Sequence, residues 1–185
     1  MIDDVLHQAE HKMQTTLEVE GRELGAIRTG RANASLVEHM RVDYYGTPTP
    51  LNQLASITVP DARALAIQPW DRNALEPIEK AIQKSDIGLT PNNDGSIIRL
   101  NFPQLTQDRR KDLIKTVHRR LEDGKVALRN VRREAQDELR AMEKRKEISE
   151  DEQKRAETAL QKILDGYVAK IDQAGKAKEA ELSEI

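Results

Sequence analysis

The sequence predicts an α+β protein: three long helices pack as a bundle, with a small α+β domain inserted between the first and the second. Three observations point there. All seven prolines lie between Pro48 and Pro103, together with four of the five aromatic residues, Tyr44, Tyr45, Trp70 and Phe102. The flanks, free of helix-breaking proline, can run as long helices while the middle turns. Apolar residues in both flanks recur at heptad spacing, the mark of helices that meet along a seam. A composition of 34% charged, 37% hydrophobic and only 3% aromatic residues suits narrow apolar seams. With 185 residues the chain has the length for two small domains. The expected division is a bundle of residues 1–30 and 105–185 and an inserted domain of residues 31–104.

The first helix carries the stripe Ile2, Leu6, Ala9, Met13, Leu17, Leu24 and Ile27 and is expected to leave the bundle near Gly30. In the insert, Val42-Asp-Tyr-Tyr reads as a strand ending at Gly46, and Thr47-Pro-Thr-Pro imposes an extended path. Leu54 to Val59 and Arg63 to Gln68 are strand candidates split by a Pro60-Asp61 turn. A short helix follows Asp71, with Pro77 in its first turn and Ile78, Ala81 and Ile82 facing inward. Pro91-Asn-Asn-Asp-Gly turns the chain into a last strand, Ile97 to Leu100.

From Thr106, a candidate N-cap, to Arg145, the residues Ile114, Leu121, Leu128, Ala135 and Met142 recur every seventh position, with Val117 and Val131 as the second row. Gly124 and Glu138 interrupt that second row. Such a helix is about 60 Å long and has to lie along partners. Ser149 and Glu152 form a capping box for the last helix, whose stripe is Leu160, Ile163, Tyr167, Ile171, Ala174 and Leu182. The short link between these two helices makes them antiparallel neighbours.

The formal net charge of −2 conceals a basic segment, since residues 105–145 hold 13 basic against 8 acidic side chains. On the heptad wheel, positions b, e and f between Lys115 and Arg140 carry Lys115, His118, Arg119, Lys125, Arg129, Arg132, Arg133 and Arg140, with Glu122 the one acid among them. Asp123, Glu134 and Asp137 lie opposite. Guanidinium forks at fixed helical spacing match phosphate oxygens. A solvated helix face explains the same pattern, and the residues alone leave both readings open.

Other motifs carry less. His7-Gln-Ala-Glu-His11 matches the H-x-x-E-H zinc pattern, but at solvent-side positions without a third ligand. Gly25 to Gly30 has phosphate-loop spacing, yet Arg31-Ala32 stands where Lys-Ser/Thr is required and a helix precedes it. The absence of cysteine excludes disulfides and thiol nucleophiles. The acidic start, Met-Ile-Asp-Asp, and the lack of a long apolar run speak against a targeting leader or a membrane span, so a cytoplasmic address is expected. Trp70 and the Tyr44/Tyr45 pair read as core and sheet packing in preference to base-stacking platforms. A coiled-coil scaffold and a zinc hydrolase remain as alternative classes.

Several segments together resemble one family. Ile27-Arg-Thr-Gly-Arg-Ala32, Tyr44-Tyr-Gly-Thr-Pro-Thr-Pro-Leu51 with Gln53-Leu-Ala55, Glu79-Lys-Ala-Ile82, Arg109-Arg-Lys-Asp-Leu113 and Arg129-Asn-Val-Arg-Arg133 are similar to the signature segments of bacterial ribosome recycling factors, in order along the chain. Departures are Gln107-Asp108 where acidic pairs are usual, Trp70 at a position often phenylalanine, and the helical glycines Gly124 and Gly175. The resemblance implies an L-shaped molecule, an elongated antiparallel three-helix bundle with a hinged β/α/β domain. It implies a non-enzymatic factor without a cofactor, a monomer that acts with elongation factor G and GTP to split post-termination ribosomes and release mRNA and tRNA. The RNA-binding residues it implies, on large-subunit ribosomal RNA, are Arg132 at the centre, Arg129 and Arg133 beside it, and Arg28 and Arg31 in the hinge segment; Lys125 of the basic face is added to them as a candidate. The implied hinge is Gly30, Ala32, Pro103 and Gln104.

Overall fold

The computed structural model describes residues 1–184. In chain order its main elements are α1 (Ile2–Gly25), β1 (Arg41–Tyr44), β2 (Thr47–Pro50), β3 (Ala55–Asp61), β4 (Ala64–Pro69), α2 (Leu75–Lys84), β5 (Asn92–Asn93), β6 (Ile98–Asn101), α3 (Gln107–Lys144) and α4 (Glu150–Ser183). The chain divides into two compact units, Met1–Leu24 with Asp112–Ile185, and Gly25–Lys111.

The first unit is built from α1, α3 and α4. Thr106 Oγ1 accepts a hydrogen bond from the Arg109 N–H at 3.1 Å and so caps α3. The expected capping box opens α4: Ser149 Oγ accepts from the Glu152 N–H at 3.1 Å, and Glu152 Oε2 accepts from the Ser149 N–H at 2.7 Å. Between them the chain reverses through Lys146, at φ 59°. Ion pairs fix the helix directions. Lys12–Glu134 and Glu23–Arg120 make α1 antiparallel to α3, and Lys125–Asp172 with Arg140–Glu157 make α3 antiparallel to α4.

The buried row of α3 is Leu113, Val117, Gly124, Leu128, Ala135, Leu139 and Met142. Ile114, Leu121 and Val131, expected in the seam, are only half-buried. A helix between two partners buries a wider sector than a two-helix seam, so Leu113 at position g and Leu139 at position e join a and d. In α4 the same shift buries Leu164 and Gly175 in place of Ile163 and Ala174. Gly124 does not interrupt the seam. A Cβ there would stand 2.9 Å from Glu20 Cγ and 3.2 Å from Ile171 Cδ1, so the absent side chain makes room for two neighbouring helices. α1 ends at Gly25, five residues before the expected exit at Gly30.

The second unit holds a hairpin of β1 and β2, a four-stranded antiparallel sheet in the order β3-β4-β6-β5, and α2. Tyr45 and Gly46 both have positive φ, 50° and 80°, the primed geometry that matches strand twist in a two-residue hairpin turn. The Thr47-Pro-Thr-Pro path is itself a strand, tolerated because β2 pairs on one side only. β3 runs on through Pro60 and Asp61, where a split was expected. It is an edge strand, and a register shift between Thr58 and Asp61 absorbs the proline. The core contains Val42, Leu51, Leu65, Ile67, Ile78, Ile82, Ile98, Leu100 and Phe102. Ile78 and Ile82, one turn apart, are the residues that dock α2.

Two aromatic expectations fail. Trp70 is 69% exposed and Tyr45 73% exposed, so neither is a core residue. Trp70 lies one residue past β4, where the chain turns into the Asp71 cap, and Tyr45 occupies the hairpin tip. Tyr44 does pack against the core, and its hydroxyl donates to Asp71 Oδ2 at 2.6 Å.

Candidate nucleic-acid interface

The basic residues of α3 are not one uniform solvated stripe. Position e is flanked by α4, so its charges meet α4 side chains. Lys125 Nζ pairs with Asp172 Oδ1 at 2.6 Å and is 22% exposed, and His118 contacts Glu179. Arg140 Nε pairs with Glu157 at 3.3 Å, and Arg129 Nη1 with Glu122 on its own helix at 3.2 Å. Lys115, Arg119 and Arg133 are exposed and hold no ion pair among the described residues. Local acids therefore balance part of the stripe, and its outward charge concentrates at the unpaired positions.

Arg132 differs from all of these. It is half-buried, its Nη1 donates to Gln161 Oε1 of α4 at 2.9 Å, and its Nε is buried without a partner. The rest of the guanidinium fork is uncommitted, with Arg129 one turn before it and Arg133 beside it on the same helix. Arg132 is not fully solvent-facing, because position e places its stem against α4. Arg28 and Arg31 fall in the second compact unit, apart in the chain from the α3 group. Burial, and then the nearby Arg109 charge, lower the Arg28 pKa. Gly30 has φ 84° and packs on Leu105, which a Cβ would approach to 3.6 Å. The Ala32 N–H donates to the Ala62 carbonyl and the Phe102 N–H to the Arg63 carbonyl, each at 2.8 Å, while Pro103 and Gln104 are exposed.

Three residues escaped the sequence reading. Gln161 bonds Arg132 across 29 positions, a pairing that only the helix register reveals. Glu20 occupies the bundle seam seven residues after Met13. Its Oε2 is buried without a partner, and burial raises its pKa against the lowering effect of Arg120. Lys178, seven residues after Ile171, is 6% exposed; its Nζ lies 3.5 Å from Glu181, and burial lowers its pKa. Both were detectable as charges on an apolar heptad row. His7 and His11 are exposed on α1, and no group of three His, Asp or Glu side chains suited to a metal ion occurs among the described residues. No helix among those residues is long and apolar enough to cross a membrane.

Comparison with known proteins gives a concordant result. The model of the family described as ribosome recycling factor matches residues 21–182. The chain is 56% identical over 185 residues to a ribosome-recycling factor of Dehalococcoides mccartyi (strain CBDB1), and 54% identical over 185 residues to one of Bacillus pumilus (strain SAFR-032), with 100% of each chain covered in both cases. A solution structure of the ribosome recycling factor superposes with a TM-score of 0.79 at 40% identity, covering 100% of this chain and 98% of that one. A second structure, of models for the T. thermophilus ribosome recycling factor and the E. coli elongation factor G bound to the E. coli post-termination complex, superposes at 0.69 with 48% identity and complete coverage of both chains. With long helices, a small sheet unit and likeness along its whole length, the chain belongs to the ribosome recycling factor family.

Proposed function

We propose that this member of a non-enzymatic translation-factor family acts on post-termination ribosomes together with elongation factor G, which supplies GTP hydrolysis, and separates the subunits so that mRNA and tRNA leave. The α3 face centred on Arg132, with Arg129, Arg133 and Lys125, binds large-subunit ribosomal RNA. The observation that carries this assignment is the Arg132 fork, anchored by one nitrogen on α4 and uncommitted at the rest. An anchored fork loses little freedom when it meets a phosphate. Arg28 and Arg31 add contacts from the segment after α1. Likeness to a factor solved with elongation factor G on a post-termination complex supports the choice of partners.

In this reading residues 1–30 and 105–185 form the ribosome-anchored bundle and residues 31–104 the inserted domain, with the two crossings at Gly30 to Ala32 and Pro103 to Gln104 as the hinge. Gly30 suits that role because its positive φ is open to glycine at little cost. The protein works as a cytoplasmic monomer without a cofactor. Light scattering of purified post-termination ribosomes tests the function. Subunit splitting is expected only when this protein, elongation factor G and GTP are all present. Splitting that proceeds equally without this protein would refute it.

A further inference from the structure

The hydrogen bond that anchors Arg132 does not end at Gln161. Gln161 Nε2 donates in turn to Asp165 Oδ1 at 2.9 Å, one turn further along α4. An ionised carboxylate can only accept, a guanidinium can only donate, and an amide does both from opposite ends. Asp165 therefore dictates which way the Gln161 amide faces: its NH₂ toward Asp165 and its oxygen toward Arg132. Were the amide turned over, its NH₂ would confront the guanidinium donor to donor, and the anchor would be lost. The anchor matters more here than at an ordinary surface arginine. Arg132 Nε is already buried without a partner, and Gln161 Oε1 is the one acceptor the guanidinium bonds among the described residues.

We infer that Asp165 and Gln161 of α4 are positioning residues for Arg132, a relay that orients the guanidinium before it meets its phosphate. This rests on the proposed RNA contact of Arg132. Neither residue touches RNA in this scheme. Asp165 acts through the amide orientation, and its negative charge is incidental.

The test separates those two properties, because Asp165→Ala and Asp165→Asn both remove the charge but only the asparagine keeps an acceptor oxygen. Each variant is measured for binding to purified bacterial large ribosomal subunits across a salt series, for thermal unfolding, and by NMR relaxation of the Arg132 Nε–H in the free protein. Asp165→Ala is expected to raise Arg132 mobility and weaken binding about three- to tenfold, the equivalent of one freed long side chain, at an unchanged salt slope. Asp165→Asn is expected to restore both readouts. Arg132→Ala is expected to reduce the salt slope itself, and Asp165→Ala to have no further effect in that background. Unchanged Arg132 mobility in Asp165→Ala would overturn the relay, and so would a binding loss that persists in the Arg132→Ala background. If mobility rises but neither Asp165→Ala nor Arg132→Ala affects binding, the relay stands as a structural feature and the RNA contact of Arg132 is wrong.

Discussion

α4 contains two glycines in opposite surroundings, and substituting each by alanine separates packing from helix propensity. Gly166 is exposed, and a Cβ added there meets nothing within 4 Å. Gly175 is buried, and the same atom would stand 2.2 Å from Leu121 Cδ1, 2.8 Å from Cδ2 and 3.0 Å from Cγ. Within a helix, glycine to alanine favours folding by about 0.8–1 kcal/mol when nothing else changes. Gly166→Ala is expected to deliver that gain, a rise of about 2–4 °C in Tm for a chain of this length. At Gly175 the whole Leu121 side chain has to swing away, because its branch point as well as its methyl groups is too close. Overpacking of this kind costs about 1–3 kcal/mol. The net for Gly175→Ala is therefore a loss of about 0–2 kcal/mol, opposite in sign to Gly166→Ala. Combining Gly175→Ala with Leu121→Ala removes the clash, so the double variant should be less destabilised than the sum of the singles. Urea or thermal denaturation of the unchanged protein, the three single variants and the double variant decides it. Equal stabilisation by both glycine substitutions would refute the packing of Leu121 over Gly175.

Glu20→Gln should flatten the pH dependence of stability in the mildly acidic range. The folded pKa of Glu20 is raised by burial, so between the ordinary carboxylate value and the raised one the native state binds more protons than the unfolded chain, and stability falls as pH rises; an unchanged profile in denaturant titrations would contradict this. Lys178 has the opposite sign: its folded pKa is lowered by burial, so the unfolded chain binds more protons and stability rises with pH toward the ordinary lysine value of about 10.4. Lys178→Met should abolish that alkaline rise and stabilise the bundle at pH 7 by about 1 kcal/mol or more, because Glu181 is 48% exposed and can return to water; a loss of stability would show that the amine has a stronger partner. Trp70→Ala should change unfolding free energy by no more than about 0.5 kcal/mol, given its exposed ring, and a loss above about 2 kcal/mol would restore it to the core.

The long-range pattern of the chain was legible because heptad spacing and proline placement are local signals with global consequences. Ser149, Glu152 and Thr106 were readable as caps for the same reason, since a cap acts within four residues. What could not be read depended on which helices meet. The shift of the buried row from Ile114 and Leu121 to Leu113 and Leu139 follows from the presence of two partner helices, and the need for Gly124 and Gly175 follows from where Glu20 and Leu121 arrive. Trp70 was misjudged because aromatic character predicts burial on average and not at the residue where a strand turns into a cap. In the candidate site the basic residues were visible on the helical wheel. Their division into paired and unpaired charges was not, because Asp172, Glu157 and Gln161 lie on another helix.

The most direct measurement is the affinity for purified large ribosomal subunits as a function of salt, for the unchanged protein, Arg132→Ala and Asp137→Ala. Asp137 is exposed on α3 away from the basic face and serves as the control. Arg132→Ala loses one hydrogen bond to Gln161 and also removes a buried unpartnered Nε, so its unfolding free energy should change by no more than about 1 kcal/mol. Its binding should weaken, and the slope of log affinity against log salt should fall by about 0.7–0.9, the share of a single phosphate contact. Asp137→Ala should leave the slope unchanged. Parallel salt dependences and equal affinities for all three proteins would mean that the α3 face does not bind ribosomal RNA through Arg132.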